Sequence, residues 1–78
     1  MRLRITDHAK ERAEKYEISK KLIRKGIENP DNVVNGHSNR RIAQKKLNEH
    51  VLRIIFEEEK DTSVVVTVYK ARRERYEI

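Results

Sequence analysis

Thr62-Ser63-Val64-Val65-Val66-Thr67-Val68-Tyr69, continued without a break by Lys70-Ala71-Arg72-Arg73-Glu74-Arg75-Tyr76, is the stretch that decides the fold. Its first half is the most β-prone run in the chain, because branched and aromatic side chains fit a pleated, half-buried surface. With side chains alternating across a strand, Val64, Val66 and Val68 share one face and Ser63, Val65, Thr67 and Tyr69 the other. Valine along all of one face and part of the second predicts an interior strand, covered on one side and partly shielded on the other. The second half carries Lys70, Arg72, Arg73 and Arg75 and closes on Tyr76. Cations are thereby fixed at one edge of a sheet, where an anion can be gripped.

Immediately upstream, Glu58-Glu59-Lys60-Asp61 reads as a solvated turn and His50 to Glu57 as a second strong strand. Leu52, Ile54 and Phe56 make one face of it; Val51, Arg53 and Ile55 make the other. Asn48-Glu49 is short enough for a tight hairpin turn. Arg40 to Leu47 is a weaker strand, with Ile42 facing one way and Ala43 and Leu47 the other. Asn35 to Asn39 is a polar loop, and Val33-Val34 a short strand. Asn29-Pro30-Asp31 closes a helix, because proline cannot continue the hydrogen-bond ladder and disfavours helical geometry before it. That helix opens at Ser19, a good N-cap, with Ile18 and Ile23 at the positions of a hydrophobic staple and Leu22, Ile23 and Ile27 as its buried stripe. A first helix runs from His8 to about Tyr16, capped by Thr6 or Asp7. Ile5, Ala9, Ala13 and Tyr16 form its apolar stripe, while Lys10, Glu11, Glu14 and Lys15 face water. Arg2-Leu3-Arg4-Ile5 alternates charge and apolar side chain, as a short edge strand or an extended lead-in does.

Residues 1–78 are therefore expected to form one α+β domain, with two N-terminal helices packed on one face of an antiparallel sheet of about four strands. Leu52, Ile54, Phe56, Val64, Val66 and Val68 are expected under the helices, and Arg53, Thr67 and Tyr69 on the more polar opposite face. Seventy-eight residues lie near the lower limit for a chain that folds without disulfides or metals, and there is no cysteine to supply either. The missing cysteines favour a reducing, cytoplasmic setting. No run approaches about 18 apolar residues and no apolar segment follows Met1-Arg2-Leu3-Arg4, so neither membrane spanning nor secretion is expected. Nothing matches a P-loop, a dinucleotide-binding glycine fingerprint or a zinc spacing, so no metal and no small-molecule cofactor is expected. A formal net charge of +6 points to a polyanionic partner: nucleic acid first, an acidic protein second.

His8-Ala9-Lys10-Glu11-Arg12 is similar to the H-A-x-x-R opening of a family of small uncharacterised prokaryotic proteins. Ile18-Ser19, the helix end Gly26-Ile27-Glu28-Asn29-Pro30 and the strand Val65-Val66-Thr67-Val68-Tyr69 follow in that family's order. Those proteins resemble the RelE-like and BrnT-like toxins of toxin–antitoxin pairs. Such toxins share the fold of the barnase, EndoU, colicin and RelE group of metal-independent ribonucleases. The resemblance covers essentially the whole chain. It implies RNA as the substrate and an acidic antitoxin as a protein partner. It marks His8 and Arg12 as the signature pair, and Arg40-Arg41, Arg72-Arg73 and Tyr76 as groups around a scissile phosphate.

Metal-free RNA cleavage needs a base for the ribose 2′-hydroxyl, an acid for the departing 5′-oxygen, and cations for the charge on the phosphorane. Histidine serves as base or acid because its unperturbed pKa is about 6.5. Arginine matches two phosphate oxygens with a planar fork that stays charged. On those grounds His8, Arg12, Arg41, Arg73 and Tyr76 are the expected catalytic set. Arg40, Lys45, Arg53, Tyr69, Lys70, Arg72 and Arg75 are the expected nucleic-acid contacts, with tyrosine rings as stacking platforms.

Each has a plainer reading. His8 and Arg12 lie one turn apart on one helix face, where His8 can simply cap or pack the helix and Arg12 can pair with Glu11 or Glu14. The basic strand residues can be edge protection against aggregation, and the terminal arginines a solubilising tail. His37 falls in the polar loop and reads as solvated, His50 starts a strand beside a turn, and Tyr16 reads as core. A non-catalytic nucleic-acid-binding module, or a basic interaction protein docking an acidic partner, has the same surface and stands as the alternative.

Overall fold

The computed structural model describes residues 1–76 and 78. The elements are β1 (Arg2–Ile5), α1 (Asp7–Lys15), α2 (Lys20–Glu28), β2 (Asn32–Asn35), β3 (Arg41–Leu47), β4 (His50–Glu59) and β5 (Thr62–Arg72), followed by a 3-10 turn at Arg73–Arg75. The five strands form one sheet in the order β1-β5-β4-β3-β2, with α1 against β5 and α2 against β3 and β4. The α+β expectation holds, and β4 and β5 are interior strands.

Two details differ from strict pattern reading. The segment Arg2–Ile5 is a fifth strand, and it runs parallel to β5, with Leu3 beside Ser63 and Ile5 beside Val65. No tight turn joins β1 to β5, so hairpin geometry does not dictate their direction. The second difference is a β-bulge. Ile55 pairs with Thr67 but Phe56 with Val65, so Val66 is an extra residue on β5. The bulge resets the alternation. Val65 and Val68, not Val64 and Val66, join Leu52, Ile54 and Phe56 in the core beneath the helices. Val64 is buried opposite Glu57, outside that cluster, and Val66 is half-buried.

Thr6 ties the first helix to this bulge. Its Oγ1 accepts from the Ala9 amide at 3.1 Å as the N-cap, and its hydroxyl donates to the Val66 carbonyl at 3.1 Å. Ala9 and Ala13 are buried, and their small side chains let α1 lie close against β5. The helix ends with Glu17 at φ 56°, while the Ile18 amide donates to Ala13 O and the Glu17 amide to Glu14 O. That is a Schellman ending built without glycine. Ser19 then caps α2 by accepting from the Leu22 amide at 3.0 Å, and Ile18 and Ile23 are both buried, as a staple requires. Gly26 marks where α2 comes closest to the sheet: a Cβ there would lie 2.6 Å from Ile54 Cδ1.

Candidate nucleic-acid interface

β1 accompanies β5 only from Thr62 to Val65, and α1 packs against β5. His8, Arg12 and Tyr16 follow one another at helical spacing of four, so they form a stripe on α1. That stripe and Thr67, Val68 and Tyr69 line a hollow of about 340 Å³. A second hollow of about 370 Å³ adjoins it, lined by Tyr16, His50, Tyr69, Lys70, Ala71, Arg72, Arg75 and Tyr76. Tyr16 and Tyr69 belong to both. The first helix and the basic end of β5 therefore share one concave surface. All three tyrosines of the chain line its second half, so aromatic faces and cations are concentrated together.

Arg53 lies under this surface. It stands opposite Tyr69 in the β4–β5 register, and its Nη1 donates to the Tyr69 hydroxyl at 2.6 Å. Its guanidinium carbon is 4.0 Å from the Tyr76 ring centroid and 5.7 Å from that of Tyr69. Across the sheet, Gln44 stands opposite Arg53 and donates from Nε2 to Asn32 Oδ1 at 3.2 Å. A polar row, Asn32-Gln44-Arg53-Tyr69, thus crosses four strands. Within it, Gln44 Oε1 and Arg53 Nε are buried without a partner. The two phenols bear on one another. Burial, helped by hydrogen bonding with Tyr76, raises the pKa of Tyr69. Hydrogen bonding with Tyr69, helped by Arg53 and Arg75, holds Tyr76 below its ordinary value.

Of the expected site residues, His8, Arg12, Tyr69, Lys70, Arg72, Arg75 and Tyr76 line the joined hollows, with Arg53 beneath. Four others lie elsewhere. Arg40 pairs with Glu57 at 3.2 Å and Arg41 with Glu58 at 2.7 Å, toward the β4–β5 turn. Lys45 Nζ donates to the Asn29 carbonyl at 2.8 Å. Arg73 donates from Nη1 to Asn48 O at 2.7 Å and from Nε to Ile78 O at 2.8 Å. Among the described residues, the side-chain ion pairs are those of Arg40 and Arg41; Lys70, Arg72 and Arg75 form none.

Five lining residues lay outside the expected set: Thr67, Val68, Ala71, Tyr16 and His50, the last two carrying rings. Tyr16 packs on the core and also walls both hollows; its spacing of four from Arg12 was the available signal. His50 stands opposite Arg72, a position that follows once the Asn48-Glu49 turn sets the hairpin register. Among the described residues, no group of three His, Cys, Asp or Glu side chains is arranged to hold a metal ion, and no helix is long and apolar enough to cross a membrane.

A family model described as a domain of unknown function, DUF4258, matches residues 5–70. The chain belongs to the DUF4258 family. The match spans both helices, β2 to β4, most of β5 and most of the lining of the two hollows; it takes in only the last residue of β1 and stops before Ala71, Arg72, Arg75 and Tyr76. Comparison with curated proteins and with solved structures returned no match. DUF4258 membership brings no activity with it.

Proposed function

We propose that this DUF4258 chain is an endoribonuclease that binds RNA across the two joined hollows and cleaves it by attack of a ribose 2′-hydroxyl on the adjacent phosphate, without a metal ion. The observation that carries the reading is the shared surface on which His8 and Arg12 of α1 adjoin Lys70, Arg72, Arg75 and His50, with tyrosine rings between them. In this reaction the 2′-oxygen forms a bond to phosphorus and loses its proton to a base. The bond to the 5′-oxygen breaks, and that oxygen takes a proton from an acid, leaving a 2′,3′-cyclic phosphate and a 5′-hydroxyl. His8 and His50 are the groups suited to the two proton transfers. Arg12, Lys70, Arg72 and Arg75 supply positive charge for the phosphorane. Tyr16, Tyr69 and Tyr76 offer faces on which bases stack.

The resemblance to RelE-like and BrnT-like toxins adds a biological frame: a cytoplasmic toxin whose basic end is covered by an acidic antitoxin until release. The test is incubation of purified protein with RNA in the presence of chelator. Wild type is expected to produce cyclic-phosphate ends, and His8→Ala to slow the reaction by about 10²-fold or more, the usual worth of one proton-transfer group. If wild type cuts no better than His8→Ala, the enzymatic reading fails. Salt-sensitive binding without cleavage would then identify a nucleic-acid-binding module.

A further inference from the structure

Arg53 was expected to touch nucleic acid directly, yet its surroundings give it a different task. Its Nη1 is engaged by the Tyr69 hydroxyl, the guanidinium lies against the Tyr76 ring, and Nε is buried with no partner. Beside it in the β3–β4 register, Gln44 is only 5% exposed and donates in turn to Asn32. A guanidinium stacked on one ring and hydrogen-bonded to another hydroxyl has a face and a donor committed within the protein.

Tyr76 lies beyond the sheet, after the 3-10 turn at Arg73–Arg75. The start of that turn is anchored through Arg73, whose amide donates to Glu49 O at 3.0 Å and whose side chain reaches Asn48 O at 2.7 Å. At the other end, the Tyr76 amide donates to Arg73 O at 3.0 Å, a bond inside the turn itself. Just past Tyr76, the Ile78 carbonyl accepts from Arg73 Nε at 2.8 Å, which ties the chain end back to the start of the turn; among the described residues, the Tyr76 ring itself meets the sheet at the Arg53 guanidinium, 4.0 Å from its centroid.

We propose that Arg53 is a positioning residue, not a phosphate contact: it docks Tyr76 and the C-terminal turn onto the sheet, making the Tyr76 ring a fixed wall of the RNA-binding hollow. The use of that wall rests on the function proposed above; the docking does not. Arg73 holds the start of the turn and the Ile78 carbonyl, and Arg53 holds the Tyr76 ring. Both arginines thus serve the hollow through other groups, while Lys70, Arg72 and Arg75 face it.

The experiment compares Arg53→Met, Arg53→Lys and Lys70→Ala with wild type. In the free protein, NMR is used to follow titration of the Tyr76 phenol and backbone order at Arg75 and Tyr76. Arg53→Met is expected to raise the Tyr76 midpoint and loosen both amides, Arg53→Lys to do so partially, and Lys70→Ala to do neither. With a short single-stranded RNA, Arg53→Met is expected to weaken binding about tenfold while leaving the slope of log affinity against log salt as in wild type. Lys70→Ala is expected to reduce that slope by about 0.7.

The proposal is overturned if Arg53→Met leaves the Tyr76 midpoint and backbone order unchanged, or if it reduces the salt slope as Lys70→Ala does. Should wild type bind no RNA, the proposed function falls and the free-protein measurements still decide the docking. Should Arg53→Met fail to fold, Arg53→Lys and Tyr76→Ala carry the same comparison. Both should lose affinity with the salt slope intact.

Discussion

Asp31 accepts the Lys46 amide through Oδ2 at 2.7 Å, and its own amide donates to Gln44 O at 2.9 Å. One residue therefore latches the start of β2 to β3. The Lys46 amide, seconded by the charges of Lys45 and Lys46, holds the carboxyl below the ordinary aspartate value. A depressed folded-state pKa means a contribution to stability that is present above the unfolded value, about 3.9, and is lost as pH falls through the folded one. Thermal unfolding followed from pH 6 downward should show wild type more stable than Asp31→Asn near neutrality, with the gap closing below about pH 4. A gap that stayed constant with pH would mean that the carboxylate charge adds nothing.

Arginines illustrate at the same scale what residue type alone conceals. Arg41 and Arg72 look alike in the sequence, both standing in basic pairs near strand ends. The β3–β4 register sets Arg41 opposite Phe56, where Glu58 meets it, whereas Arg72 ends β5 opposite His50. Arg73, one residue further, reaches the carbonyls of Asn48 and Ile78. Side-chain chemistry named the candidates; register distributed them between ion pair, hollow and clamp.

Among the elements, the junction of β1, α1 and the β5 bulge positions the site. Thr6 holds it with a single hydroxyl, which accepts from Ala9 and donates to Val66. Thr6→Ala removes both bonds and should cost about 1–2 kcal/mol in denaturant unfolding, with Thr6→Ser restoring most of it. A loss no larger than that of an exposed surface substitution would contradict this role. The helices were legible because their ends carry chemistry: Ser19 as cap, Ile18 and Ile23 as staple, Pro30 as stop. The meander was legible because turns such as Asn48-Glu49 separate alternating runs. The bulge was not, because three consecutive valines have no period from which an extra residue stands out. The parallel pairing of β1 was hidden too, since alternation in Arg2–Ile5 identifies a strand and says nothing of its direction.

At the scale of the whole molecule, the two ends of β5 treat their cations differently. Toward the β4–β5 turn, Arg40 and Arg41 are matched by Glu57 and Glu58; at the other end of β5, Lys70, Arg72 and Arg75 line the hollow without such partners among the described residues. If those three and Arg12 meet phosphate, log affinity for single-stranded RNA should fall with log salt at a slope of about −2 to −3. Arg41→Ala should leave that slope unchanged and alter stability by less than about 1 kcal/mol, as exposed ion pairs do. An Arg41→Ala slope as shallow as that of Arg72→Ala would move the interface to the wrong end.

We propose that α1 and the basic end of β5 act on the same strand of RNA. This is tested most directly by titrating isotope-labelled protein with a short RNA and mapping backbone amide shifts. His8, Arg12 and Tyr69 to Arg72 are expected to move together with one affinity, while Arg40 and Arg41 stay still. Shifts confined to one side of Tyr69, or centred on Arg40 and Arg41, would contradict it.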